Sequence, residues 1–209
     1  MCGRFALYSS GDAIAQAFDL STRPELQPRY NISPTQTVPI IKAGRELALL
    51  RWGLVPPWSD GKVAPINAQA ETASVKPLFR SAFKKRRCLV PANGWYEWKK
   101  LSAKQKQPYY YGPRNGKPLA FAGLWESCAR AGGLLETFTI LTTNANELAA
   151  EVHNRMPCIL APSDYDTWLD SGGPALLRPY PADLLFTRKV STYVSKSGNE
   201  GPGCVEEIC

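Results

Sequence analysis

The sequence predicts a single α+β domain, mainly antiparallel β, with its strands in curved sheets or a partly open barrel and short helices around them. Three observations predict it. Eighteen prolines and sixteen glycines in 209 residues break the chain too often for a helical bundle. The apolar stretches between those breaks are short and strand-like, several of them joined by Gly-rich turns. Where helix signals occur they are local: a Ser or Asn followed three residues later by an acidic side chain, which resembles a capping box. The chain is long enough for one domain, and its 44% hydrophobic residues suffice for a core. The domain is expected over residues 1–200, with 201–209 as a flexible tail.

Ser9 and Asp12 open a helix that places Ala13, Ile14, Ala17 and Phe18 on one face. Pro24 and Pro28 interrupt the chain, and residues 29–34 read as a loop. Residues 37–42 and 46–52 form two strands around an Ala43-Gly44-Arg45 turn. Trp52 then leads into a proline-stiffened loop that ends at Trp58. Pro77 sits in the first turn of a helix running to Arg86, with Leu78, Phe79, Ala82 and Phe83 inward. Residues 88–91 make a short strand stopped by Pro91. Asn93-Gly94 signals a turn, and Trp95-Tyr96-Glu97-Trp98 is a strand with alternating faces. Residues 99–107 are a polar hairpin loop. Strands follow at 109–111, 119–125 and 135–141. Asn144 caps a helix to Val152, and Ser163 caps another carrying Tyr165, Trp168 and Leu169, which Gly172-Gly173 stops. A last strand is expected at 190–194.

Composition narrows the function classes. The net charge of +7 suits a polyanionic partner, and equally an ordinary basic surface. No apolar run reaches the roughly 18 residues of a membrane-spanning helix, and no secretory signal is visible. The six cysteines form no Cys-x-x-Cys pair, and one histidine cannot complete a zinc-finger pattern. No metal or cofactor is therefore expected. The thiols are expected to be reduced, in a cytoplasmic protein without membrane contact.

Four polar residues stand out as chemistry. With the initiator Met trimmed, Cys2 would carry an α-amine of pKa about 7.7–8.0 beside a thiol of about 8.5. An amine adds to an aldehyde to give a Schiff base, and a neighbouring thiol then closes a five-membered thiazolidine. Asn67 interrupts an apolar run. Glu97 lies in a strand between two aromatics, where burial would raise its pKa. His153 is the sole histidine. A nucleophile, an amide, a carboxyl and an imidazole are what carbonyl condensation requires. Each also has an ordinary reading: a small residue at a start, a turn, a solvent-facing acid, a helix end. Spacing alone does not bring them together.

Seven ordered blocks do more. They are Met1-Cys2-Gly3-Arg4-Phe5, Arg29-Tyr30-Asn31-Ile32-Ser33-Pro34, Trp52-Gly53-Leu54, Ile66-Asn67-Ala68 with Glu71-Thr72, Arg87-Cys88-Leu89-Val90-Pro91, Gly94-Trp95-Tyr96-Glu97-Trp98 and His153-Asn154-Arg155-Met156-Pro157. Together they resemble the SRAP (SOS response-associated peptidase) family, proteins that process abasic sites in single-stranded DNA, over nearly the whole chain. The resemblance implies that Cys2 captures the ring-opened aldehyde as a thiazolidine crosslink, with reversal and lyase cleavage as side reactions. It implies that Asn67 holds the Cys2 end, Glu97 shuttles protons and His153 promotes opening of the deoxyribose ring. For that DNA partner Arg4, two residues from Cys2, and Arg155, two from His153, are the phosphate candidates, because a fork of N–H donors suits a phosphate; Asn31 joins the DNA-binding set, and Trp58 or Trp52 with Pro34 would wedge against bases beside the lesion. Gln69 stands where the family commonly has arginine, which weakens the expected backbone grip. The partner would be abasic single-stranded DNA, bound by a monomer associated with the nucleoid. Two other readings remain: an N-terminal-nucleophile hydrolase using Cys2 on amides, and a non-covalent single-strand binding module.

Overall fold

The computed structural model describes residues 2–59, 61–130 and 132–208. In chain order the strands are β1 (Phe5–Leu7), β2 (Arg29–Ile32), β3 (Thr37–Ile41), β4 (Leu47–Trp52), β5 (Asn67–Gln69), β6 (Arg87–Ala92), β7 (Gly94–Lys100), β8 (Lys106–Pro113), β9 (Leu119–Arg130), β10 (Gly133–Asn144), β11 (Arg155–Pro157), β12 (Ile159–Leu160) and β13 (Leu185–Lys189). The helices are α1 (Gly11–Phe18), α2 (Ala70–Ala73), α3 (Arg80–Lys85), α4 (Glu147–Ala150) and α5 (Tyr165–Asp170).

Five strands, β13-β8-β7-β1-β2, form an antiparallel sheet. Five others close a ring: β10 pairs with β4, β4 with β3, β3 with β6, β6 with β9, and β9 with β10. Closure removes the exposed edges that an open sheet leaves. Beyond the ring, β10 carries β5 on one edge and β11 on the other. The expected α+β class holds. The β10 pairings with β4 and β5 are parallel rather than antiparallel.

The two layers meet through large rings. Phe5 of β1 lies 5.1 Å from Trp52 of β4 and 6.1 Å from Phe121 of β9. Trp95 of β7 stacks on Tyr111 of β8 at 4.8 Å and abuts Phe121. All of these side chains are fully buried, and truncating one such ring to alanine costs about 3–5 kcal/mol. Alternation along β7 then fixes the site: Trp95 and Glu97 face inward, while Tyr96 faces the other side.

That other side is covered by the chain end. Tyr96 and Tyr110 pack with Val190, Val194, Cys204 and Val205. Residues 201–208, expected to form a flexible tail, are thus part of the packing, with Glu207 bridged to Val190 and the Ile208 N–H donating to the Lys189 carbonyl at 3.1 Å. The strand expected at 190–194 is instead β13, earlier in the chain. After it the Ser191 hydroxyl accepts from the Tyr193 N–H and turns residues 192–195 into a 3-10 helix.

Asn93-Gly94 makes no hairpin. It is the crossover from the ring strand β6 to β7 in the other sheet. The Asn93 side chain accepts from the Tyr8 and Ser9 N–H groups and donates to the Ser9 hydroxyl. At Gly94 a Cβ would collide with the Tyr111 carbonyl and the Tyr110 ring. With Ser9 so engaged, the α1 cap is Ser10. Asn144 remains in β10, and Asn146 caps α4. Pro77 precedes α3, which begins at Arg80. Among the described residues no helix is long and apolar enough to cross a membrane. The described cysteines are free and buried.

Candidate functional site

The amino-terminal stretch runs along β7. Phe5 pairs with Trp95, and the Tyr96 N–H donates to the Arg4 carbonyl at 3.0 Å. This register carries Cys2 toward Glu97, the next inward residue of β7. Cys2 is 0% exposed and belongs to the core cluster. Burial pushes its thiol pKa well above the usual value, and the Glu97 carboxylate adds to the rise. Cys2 is therefore enclosed rather than open to solvent. The expected removal of Met1 falls on a residue outside those described.

Asn67 comes from the far side. It opens β5, which lies parallel on β10 with Asn67 opposite Ile140. Its Nδ2 donates to the Cys2 carbonyl at 2.9 Å. Its Oδ1 is buried and has no hydrogen-bond partner among the described residues. A buried amide acceptor without a donor is costly, and this one lies in the amide that already touches Cys2.

Glu97 is 4% exposed. Burial raises its carboxyl from the usual range to about 7. Near neutral pH it is therefore poised to accept or donate a proton. His153 ends the turn after α4, its N–H donating to the Ala149 carbonyl at 2.9 Å. It is half-buried, and burial holds its pKa below the usual histidine value. Its Nδ1 accepts the Arg155 N–H at 3.0 Å, which leaves Nε2 to carry the proton of the neutral ring. The arm with Asn67 and the arm with His153 flank β10: Thr142 pairs with Gln69 on one edge and Pro157 on the other. Two strand spacings separate those arms, about 10 Å. Cys2, Asn67 and Glu97 thus meet closely, and His153 stands on the neighbouring arm.

The expected DNA contacts fare unevenly. Trp52 is fully buried against Phe5 and Phe138, and its Nε1 donates to the Ile66 carbonyl at 2.9 Å, so it is a core residue and no wedge. Trp58 is 68% exposed. Its loop is moored by the Val55 N–H on Thr137 Oγ1 at 2.9 Å and by the Arg130 guanidinium on the Ser59 carbonyl. Pro34 is half-buried, and Gln69 is exposed at the end of β5. Arg4 donates to Asn31 Oδ1 at 2.6 Å and to the Val194 carbonyl at 2.8 Å. Asn31 is buried, and its Nδ2 donates to the Lys196 and Asn199 carbonyls. Arg4 and Asn31 therefore tie the carboxy-terminal segment to β1 and β2. Arg155 is also engaged internally, with its fork on both oxygens of Glu71 at 2.7 and 2.8 Å and a further bond to Asn144 Oδ1 at 2.9 Å. A phosphate could use that fork only by displacing Glu71.

Glu71, Arg130 and Thr137 received no role from sequence. The Glu71–Arg155 pair is 84 residues apart, and no local pattern predicts it. A family model described as SOS response associated peptidase (SRAP) matches residues 1–197. The chain is 40% identical to abasic site processing protein YoqW of Bacillus subtilis, covering 99% of each chain. It is 41% identical to abasic site processing protein YoaM of the same organism, covering 95% of each. A crystal structure of a Bacteroides thetaiotaomicron protein superposes with a TM-score of 0.90 over 100% of both chains at 25% identity.

Proposed function

The chain belongs to the SOS response associated peptidase (SRAP) family, and from that premise we propose that it recognises abasic sites in single-stranded DNA and captures them covalently through Cys2. The observation that carries this reading is the Asn67–Cys2 contact beside a carboxyl that titrates at about 7. Removal of Met1 would give Cys2 a free amine, a donor for the lone Oδ1 of Asn67. The amine adds to the C1′ aldehyde to form a carbinolamine. Loss of one water leaves the imine. The thiol then adds across the C=N bond, sulfur to carbon and its hydrogen to nitrogen, and the ring closes. A thiol held protonated by burial favours this order, with the amine attacking first.

Glu97 takes the proton released as the amine adds and returns one to the departing hydroxyl. His153, a proton donor at Nε2, assists opening of the deoxyribose from its own arm. The Trp58 indole and Pro34 offer apolar surface to bases beside the lesion. The protein acts as a monomer, without metal or cofactor, and associates with the nucleoid when it holds DNA.

The test is a single-stranded oligonucleotide with one abasic site, mixed with the protein and run on a denaturing gel. A retarded band in the wild type that is lost in Cys2→Ala is the expected result. A shift only on native gels would favour a binding module. Amide turnover without a crosslink would favour a hydrolase.

A further inference from the structure

Arg155 stands out for where its side chain goes. It leaves β11, crosses β10 by way of the Thr142 carbonyl and Asn144 Oδ1, and ends on both carboxylate oxygens of Glu71 in α2. Its other end, the backbone N–H, is the group that donates to His153 Nδ1. One residue therefore joins three things: the helix that directly follows the Asn67 strand, the end of β10, and the imidazole. Arg155 holds Glu71 in its ionised form, with its pKa below the usual carboxylate range. A bidentate guanidinium–carboxylate pair fixes direction as well as distance.

We propose that Glu71 is a positioning residue for His153, acting through Arg155. The pair braces the 153–155 turn against α2, so that the Arg155 N–H stays aimed at Nδ1. An amide N–H can pair only with an unprotonated ring nitrogen. The brace thereby selects the tautomer with hydrogen on Nε2 and sets the spacing between the imidazole arm and the Asn67 arm. Glu71 itself touches neither DNA nor Cys2 in this account. The catalytic consequence rests on the reading of Cys2 as the aldehyde acceptor; the tautomer does not.

The sole histidine makes the test direct. The full chain is labelled with 15N-histidine, and the two ring nitrogens are followed by NMR in wild type, Glu71→Gln and Arg155→Lys. Lysine keeps the charge but cannot fork. Wild type should show a single Nε2–H tautomer at neutral pH, and both variants should show averaging of the two tautomers. At saturating abasic DNA, Glu71→Gln should capture about tenfold more slowly, as expected when a reacting group loses its orientation. Glu71→Asp should recover part of that loss. An unchanged histidine spectrum in Glu71→Gln and Arg155→Lys would overturn the proposal, whatever the gel shows. Absence of any wild-type crosslink would overturn the reading of Cys2 and leave the histidine result standing.

Discussion

Glu97 lies on the strand beside Cys2 and Glu71 follows Asn67 by four residues, and their surroundings set them in opposite states. Glu97 is enclosed by the two β layers, and burial raises its pKa to about 7. Glu71 is partly exposed at the surface, where Arg155 lowers its pKa. The same functional group titrates near neutrality in one place and is a fixed charge in the other. Desolvation decides the first case and an ion pair the second. On the proposed reading the first moves a proton and the second holds an imidazole still.

The contrast can be broken by neutralising each carboxyl in turn. Glu97→Gln removes a group that exchanges protons, so covalent capture at saturating DNA should slow by about 100-fold, the low end for general acid–base catalysis. Equal losses in single-turnover assays of Glu97→Gln and Glu71→Gln would erase the distinction between carrier and brace.

Stability sharpens the same contrast with opposite signs. Glu97 titrates at about 7 when folded, against about 4.3 in an unfolded chain. Below that lower value both states are protonated and the group is neutral in the balance. As pH rises through the window the unfolded state ionises first, so stability falls, by roughly 3 kcal/mol by the time the folded pKa is passed. Glu97→Gln should therefore be more stable than wild type at pH 8 and level with it at pH 4 by denaturant unfolding. For Glu71, whose pKa is depressed, stability is present above the unfolded pKa and lost as pH falls. Its loss on mutation should be small, because the pair is partly exposed.

The smallest expected effect lies outside both carboxyls. Trp58→Ala should weaken binding to abasic single strands by about 1 kcal/mol, the lower range for one stacked base, and leave the capture rate at saturation unchanged. Fluorescence titration followed by single-turnover capture separates the two. A rate loss at saturation would move Trp58 from the rim into the reacting site.

Much of the frame was legible in the sequence. Alternation in residues 95–98 places Glu97 and Trp95 on one face, and the ring-forming strands β3, β4, β6, β9 and β10 fall at the apolar runs between turn signals. Burial of Glu97 was not legible, because Tyr96 and Trp98 beside it are as apolar as an inner face. Both faces of the five-stranded sheet turn out to be covered, the outer one by residues 190–205. Strands β1, β5 and β11 are three residues each, too short to show a period, yet they carry or flank Cys2, Asn67 and His153. Trp52 and Trp58 look alike in sequence and part company only because one has the Ile66 carbonyl and two rings around it. Sequence alone offers the Arg155 fork to phosphate, and its acid partner 84 residues away is not visible there.

The central claim is that Cys2 condenses with an aldehyde through both its amine and its thiol. Intact-mass spectrometry after mixing the protein with an abasic oligonucleotide and denaturing it without any reductant reads this, because the thiazolidine survives while the imine of identical mass hydrolyses. The account predicts one adduct, equal to the protein lacking Met1 plus the oligonucleotide less one water, stable to denaturation and absent in Cys2→Ala. An adduct that persists in Cys2→Ala, or no adduct from a chain shown to lack Met1, would contradict it.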